Sequence, residues 1–147
     1  MNRYAQLLLY IAILSLGPSS SAAQPVNLQI GGIEGHVFNL RTMKPLSGAT
    51  ITVVVSSPTG ESSSLPQYFD NPSGFYNVLF TTINMGLPAT SSTVTAYCKL
   101  SNGRVISSAV PLYTTPQPIV YRRDIYIELP RSYSRCLPLD GATPGQG

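Results

Sequence analysis

Side chains that could carry out acid–base chemistry are scarce in this chain. The 147 residues include one histidine, His36, and a single imidazole excludes most catalytic triads and multi-histidine metal sites. Asp70 lacks the alternating oxygen ligands of a calcium loop, so we expect it to cap a turn. Asp124 and Glu128 would lie about 13 Å apart on one strand, farther than the carboxylate pair of a glycosidase. We expect no catalytic residues, no metal site and no cofactor.

The two cysteines, Cys98 and Cys136, lack the features of redox or nucleophilic thiols. They form no Cys-x-x-Cys motif, and neither has a base beside it in the sequence. In an oxidising compartment an even number of cysteines indicates a disulfide. We predict a Cys98–Cys136 disulfide that attaches the Pro-rich C-terminal tail to the domain. By closing a loop it lowers the conformational entropy of the unfolded chain, which stabilises the fold by about 4 kcal/mol.

The remaining polar residues suggest recognition rather than catalysis. Tyrosine and arginine are the residues most enriched at recognition surfaces, and several lie close together in the C-terminal half. The predicted binding patch consists of Tyr113, Tyr121, Arg122, Arg123 and Tyr126. Ordinary sheet surface is the alternative interpretation, because tyrosine is also a good strand former.

Composition restricts the class of partner. Only 10% of residues are charged and the net charge is +3, whereas about a quarter of a typical soluble domain is charged. Binding to nucleic acid requires clustered Lys and Arg, so we expect no nucleic-acid partner. Uncharged Ser/Thr-rich strands do suit edge-to-edge pairing, so oligomers can form by edge-strand association.

The N-terminal segment has the features of a secretory signal peptide. Arg3 precedes an apolar run at 7–16, and Ser21 and Ala23 place small residues before a cleavage point at Gln24. The apolar run is about half the roughly 20 residues that a membrane span requires. We expect residues 1–23 to be removed, and the remaining chain to be periplasmic or extracellular with no membrane span.

Apolar residues alternate with polar ones through most of the remaining chain, which predicts strands. The predicted strands cover 33–39, 49–55, 75–80, 94–100, 105–112 and 119–129. Asn102-Gly103 predicts a hairpin with a type I′ turn. We expect an all-β fold, an antiparallel Greek-key β-sandwich of about seven strands. The predicted organisation is a linker at 24–32, the sandwich at 33–130, and a partly disordered tail at 131–147, with 137–147 disordered.

Two segments resemble carboxypeptidase-regulatory-like and related transthyretin-like (prealbumin-like) domains. The first segment is Gly35-His36-Val37, followed by Pro45-Leu46-Ser47-Gly48-Ala49. The second is Asp70 with Gly74-Phe75-Tyr76, which resembles the strand entry of those domains. The resemblance implies a transthyretin-like sandwich that serves as an accessory, non-catalytic module. It also implies that Gly48 turns the loop, that Ala49 keeps an inward position small, and that Phe75 caps the core.

A related enzyme family, the hydroxyisourate hydrolases, provides an alternative. His36-Val37-Phe38-Asn39 and Tyr121-Arg122-Arg123 are similar to its motifs, which implies a hydrolase that uses His36 and Arg122. The second histidine of that family is missing, because Ser107-Ser108-Ala109 stands in its place. We therefore expect an exported, non-enzymatic β-sandwich that binds a protein or glycan, or serves as a structural part of the envelope or extracellular space.

Overall fold

The computed structural model describes residues 27–57, 60–84, 91–112 and 120–146, and these contain strands and no helix. No helix able to cross a membrane is therefore found within these ranges. The strands are β1 (Asn27–Asn39), β2 (Lys44–Pro45), β3 (Ala49–Ser57), β4 (Gly60–Ser63), β5 (Gln67–Phe69), β6 (Phe75–Asn84), β7 (Ser91–Lys99), β8 (Val105–Leu112), β9 (Val120–Arg122), β10 (Ile125–Ile127) and β11 (Thr143–Pro144). The predicted signal peptide at 1–23 lies outside the described residues.

The strands form two sheets, so the all-β sandwich is confirmed. In the first sheet the long strand β1 pairs with β6 and β2 on one side and with β9 and β10 on the other. The second sheet has the order β11-β5-β3-β7-β8, with β4 also paired to β3. The prediction of purely antiparallel pairing is wrong, because β9 and β10 run parallel to β1 and β11 runs parallel to β5. Alternation specifies which face a residue occupies, and it carries no information on the direction of the neighbouring strand.

The inner faces of the two sheets supply the core. The predicted inward set on β3, from Ala49 to Val55, is buried, as is the set on β7 that ends at Cys98. The first sheet contributes Ile33, Val37, Tyr76, Val78, Ile125 and Ile127 from the opposite side. Each fully buried side chain of this size stabilises the fold by about 1.5–3 kcal/mol. The predicted strand at 119–129 is divided into β9 and β10, although its inward residues are buried as expected.

The β7–β8 hairpin lies where the sequence places it, but its turn differs from the prediction. The N–H of Gly103 donates to the carbonyl of Leu100 at 2.9 Å, and Gly103 has φ +83°. Asn102 lacks the positive φ that a type I′ turn requires. Its side chain instead accepts a hydrogen bond from the N–H of Arg104 at 3.0 Å. The loop is therefore a three-residue turn with glycine in the left-handed position.

The C-terminal residues 135–145, here called the strap, are held against the second sheet. The predicted disulfide is confirmed, with Cys98 and Cys136 bonded at 2.01 Å. The N–H of Cys136 donates to Ser47 at 2.7 Å, and that of Leu137 donates to Lys99 at 2.8 Å. Farther along, β11 extends the sheet beside β5.

This arrangement differs from the predicted disorder of residues 137–147, of which the structure describes 137–146. The strap buries little apolar surface of its own, so its composition resembles that of a disordered tail. Its order comes from backbone hydrogen bonds and the disulfide, which depend on distant parts of the chain. Asp70 also contacts the strap, because its carboxylate pairs with Arg135 at 2.7 Å. The prediction that Asp70 caps the adjacent turn is therefore wrong, since the side chain of Asn71 accepts a hydrogen bond from the N–H of Ser73 there.

Candidate functional site

Four aromatic side chains form a continuous row across the outer face of the first sheet. His36 and Phe38 point outward from β1 because the buried Val37 lies between them. The strand register places Phe75 opposite His36 and Tyr126 opposite Phe38. Ring centroids are 5.5 Å apart for Phe75 and His36, 6.0 Å for His36 and Phe38, and 5.5 Å for Phe38 and Tyr126. These four residues are called the aromatic row below.

Three pairs of polar side chains lie alongside the aromatic row. They join Glu34 to Arg122 at 2.6 Å, His36 to Asp124 at 3.5 Å, and Arg41 to Glu128 at 2.7 Å. Most of these side chains are exposed, so each pair contributes at most about 1 kcal/mol to stability. Their main effect is to hold hydrogen-bonding groups beside the rings.

The break between β9 and β10 fixes the C-terminal half of this face. On the outer side the carboxylate of Asp124 accepts a hydrogen bond from the backbone N–H of His36 at 2.9 Å. On the inner side the hydroxyl of Tyr76 donates to the carbonyl of Arg123 at 2.6 Å. Burial raises the pKa of Tyr76 well above its ordinary value, and the nearby Asp124 carboxylate raises it further. Tyr76 therefore remains a hydrogen-bond donor at every physiological pH.

A cleft begins where the aromatic row ends. Tyr126 lines this cleft, which lies between β8 and β10 and has a volume of about 560 Å³. Its polar groups come from Arg41, Arg104, Ser107, Ser108, Tyr126 and Glu128. The volume falls in the range of small-molecule binding sites. A ligand lying along the row can thus continue into a polar recess.

The structure divides the predicted binding patch. Arg122 and Tyr126 lie on the same outer face as the aromatic row, whereas Tyr121 packs against the core. Arg123 is half-buried at the strand break, and Tyr113 lies outside the described residues. Neighbouring residues of a strand point to opposite faces, so a patch that combines Tyr121 with Arg122 cannot form on one surface.

Phe38 and Phe75 were not predicted as site residues, and His36 was named only in the hydrolase alternative. Phe75 was expected to cap the core, but Tyr76 is the fully buried side chain and Phe75 lies outside. The alternation contains the signal, because Tyr76 and Val78 share one face of β6 and leave Phe75 on the other. What the sequence does not show is that β6 and β10 lie on either side of β1.

Each of the two residues of the hydrolase alternative contacts a carboxylate. Arg122 is bound to Glu34, and His36 is paired with Asp124 on an open sheet surface. Neither residue lines the cleft between β8 and β10. Among the residues that the structure describes, no group of three or more His, Cys, Asp or Glu side chains could hold a metal ion.

No family model matches the chain, and comparisons with curated proteins and with solved structures found no significant match. The interpretation of the site therefore depends on its geometry.

Proposed function

We propose that this protein is an exported, non-enzymatic binding module that recognises a glycan in the cell envelope or extracellular space. The aromatic row is the observation that carries the proposal. Export is supported by the signal-peptide features of residues 1–23 and by the Cys98–Cys136 disulfide, which suits an oxidising compartment.

The row has the properties that a sugar chain requires. The C–H face of a pyranose ring packs well on an aromatic ring, and four rings at spacings of 5.5–6.0 Å offer consecutive packing positions. The flanking ion pairs provide donors and acceptors for hydroxyl groups along the same line. A protein partner of similar affinity would usually require a larger apolar centre surrounded by a polar rim. The row comprises only four rings, and the Glu34–Arg122 and Arg41–Glu128 pairs lie next to it, so its apolar area is small, which favours a glycan.

A relationship to carboxypeptidase-regulatory-like and transthyretin-like domains is part of this proposal. The corner before β3 supports it, because Leu46 and Ala49 are buried and Gly48 has φ +77°. Such domains commonly act as accessory modules. The hydrolase alternative receives less support, since His36 and Arg122 each contact a carboxylate on an open surface and neither lines the cleft between β8 and β10.

Binding to polysaccharides tests the proposal directly. Purified protein lacking residues 1–23 is incubated with a panel of insoluble polysaccharides, and the bound fraction is measured for wild type, Phe38→Ala and Tyr126→Ala. We expect each substitution to weaken binding about tenfold or more, because an aromatic anchor commonly contributes about 2 kcal/mol.

Tyr97→Ala is the matched control. Tyr97 lies on β7 with the buried Ala96 and Cys98 on either side, so it occupies the outer face of the second sheet. This variant should bind like wild type. Equal binding by all four proteins would contradict the assignment of the row. Binding to none of the polysaccharides, together with a row-dependent complex with a purified envelope protein, would identify the module as protein-binding.

A further inference from the structure

The charges of this protein are unevenly paired, and the unpaired cations indicate a second element of recognition. Four of the six acidic residues form ion pairs with Arg or Lys, Asp124 contacts His36 at 3.5 Å, and Glu61 on β4 has neither contact. Within the described part of the chain, the cations without an ion-pair partner are Lys44, Arg104, Arg123 and Arg131.

Two of these four cations lie at or beside the cleft between β8 and β10. Arg104 lines the cleft directly, and Arg131 follows Pro130, which also lines it. Lys44 lies on β2, on the opposite side of β1 from β10. Glu128 is the only carboxylate on its wall, and Arg41 already neutralises it at 2.7 Å. The cleft therefore has an excess of positive charge in a protein with few charges.

We propose that this cleft binds the carboxylate of an acidic sugar residue, such as a uronic acid, within the recognised glycan. The inference rests on the proposed function. Arg104 pairs with the carboxylate, since a guanidinium can donate two parallel hydrogen bonds to it. Tyr126 packs against the sugar ring, and a serine hydroxyl of the β8 wall contacts its hydroxyl groups.

The position of the cleft explains why the aromatic row and the unpaired arginine belong to one site. Tyr126 is shared, because its ring is stacked with Phe38 at 5.5 Å and it also lines the cleft. Neutral sugar units would lie along the row, and the acidic unit would occupy the recess beyond Tyr126. The row supplies contact area and the cleft supplies selectivity.

Isothermal titration with two short oligosaccharides tests the inference. The probes are a trimer of galacturonic acid and the neutral galactose trimer with the same linkage. Wild type should bind the acidic trimer more tightly. Arg104→Gln should weaken that affinity about tenfold, which is about 1.4 kcal/mol, because the charged hydrogen bonds to the carboxylate are lost, and it should weaken binding of the neutral trimer much less.

Arg135→Gln is the control for net charge. It removes one positive charge from the strap, where Arg135 pairs with Asp70 and is exposed, and should preserve the preference for the acidic trimer. Equal affinity of wild type for both trimers, unaltered by Arg104→Gln, would overturn the inference and leave glycan binding intact. Weak binding of both trimers by wild type, with Phe38→Ala and Tyr126→Ala no weaker, would overturn the proposed function as well.

Discussion

The two edges of the second sheet are finished in different ways. At one edge the strap adds β11 beside β5 and is anchored by the Cys98–Cys136 disulfide. At the other edge β8 is the last strand in the described part of the chain, and it faces β10 across the cleft. The first edge is covered by the backbone hydrogen bonds of β11, whereas the second exposes arginine and serine side chains. Under the proposed function, stability and recognition are thus assigned to opposite edges.

Removal of the disulfide should have the largest effect on the closed edge. The double variant Cys98→Ala/Cys136→Ala should lose about 4 kcal/mol of unfolding free energy, because the loop of 38 residues is no longer constrained in the unfolded chain. Urea denaturation measures this loss. Hydrogen exchange should be faster at the amides of Leu137, Thr143 and Gly145, which bond to Lys99, Pro66 and Tyr68.

Glycan binding by the same double variant distinguishes the two edges. Under conditions in which the variant is folded, its affinity should equal that of wild type, since neither cysteine lines the cleft. A parallel loss of stability and affinity would show that the strap supports the site and that the two edges are coupled.

Two glycines with similar backbone angles provide a matched comparison. Gly48, with φ +77°, lies under the carbonyl of Cys136, which an added Cβ would overlap, whereas Gly103, with φ +83°, has open space around it. Gly103→Ala should cost about 1 kcal/mol from the left-handed backbone alone. Gly48→Ala should cost about 3 kcal/mol because the strap must also move. Thermal denaturation measures both, and equal costs would mean that the strap is only loosely held at Gly48.

Different parts of the molecule were predicted from the sequence to different extents. Alternation identified the inward residues of β3 and β7, and an even cysteine count identified the disulfide. The order of the strap could not be predicted, because its hydrogen bonds are made with Ser47, Lys99 and Thr50, which are distant in sequence. The aromatic row was missed for a related reason. His36, Phe38, Phe75 and Tyr126 come from three strands, and period-two alternation does not state which strands are neighbours.

Tyr76 tests the connection between the core and the binding face. Tyr76→Phe should cost about 1 kcal/mol, because the carbonyl of Arg123 loses its hydrogen bond at the break between β9 and β10. The raised pKa of Tyr76 in the folded state also makes stability depend on pH. The native state retains the proton that the unfolded state loses above about pH 10, so this contribution declines as the pH rises past that value.

Denaturation of wild type and Tyr76→Phe at pH 8 and near pH 11 separates this contribution from that of the other tyrosines. The difference in stability between the two proteins should decrease at the higher pH. A difference that does not change with pH would show that the Tyr76 proton is not held in the folded state.

The smallest effect on stability is expected at the open edge, where it is accompanied by a gain in binding. Glu128→Gln breaks the exposed pair with Arg41 and should change the unfolding free energy by about 0.5 kcal/mol or less. The same substitution removes the only carboxylate from the cleft and releases Arg41, so affinity for the galacturonic acid trimer should rise. Affinity for the neutral trimer should change less, because the glutamine side chain still offers hydrogen bonds to hydroxyl groups. Reduced affinity for the acidic trimer would show that Glu128 binds the sugar itself, and the cleft would then select hydroxyl groups rather than a carboxylate.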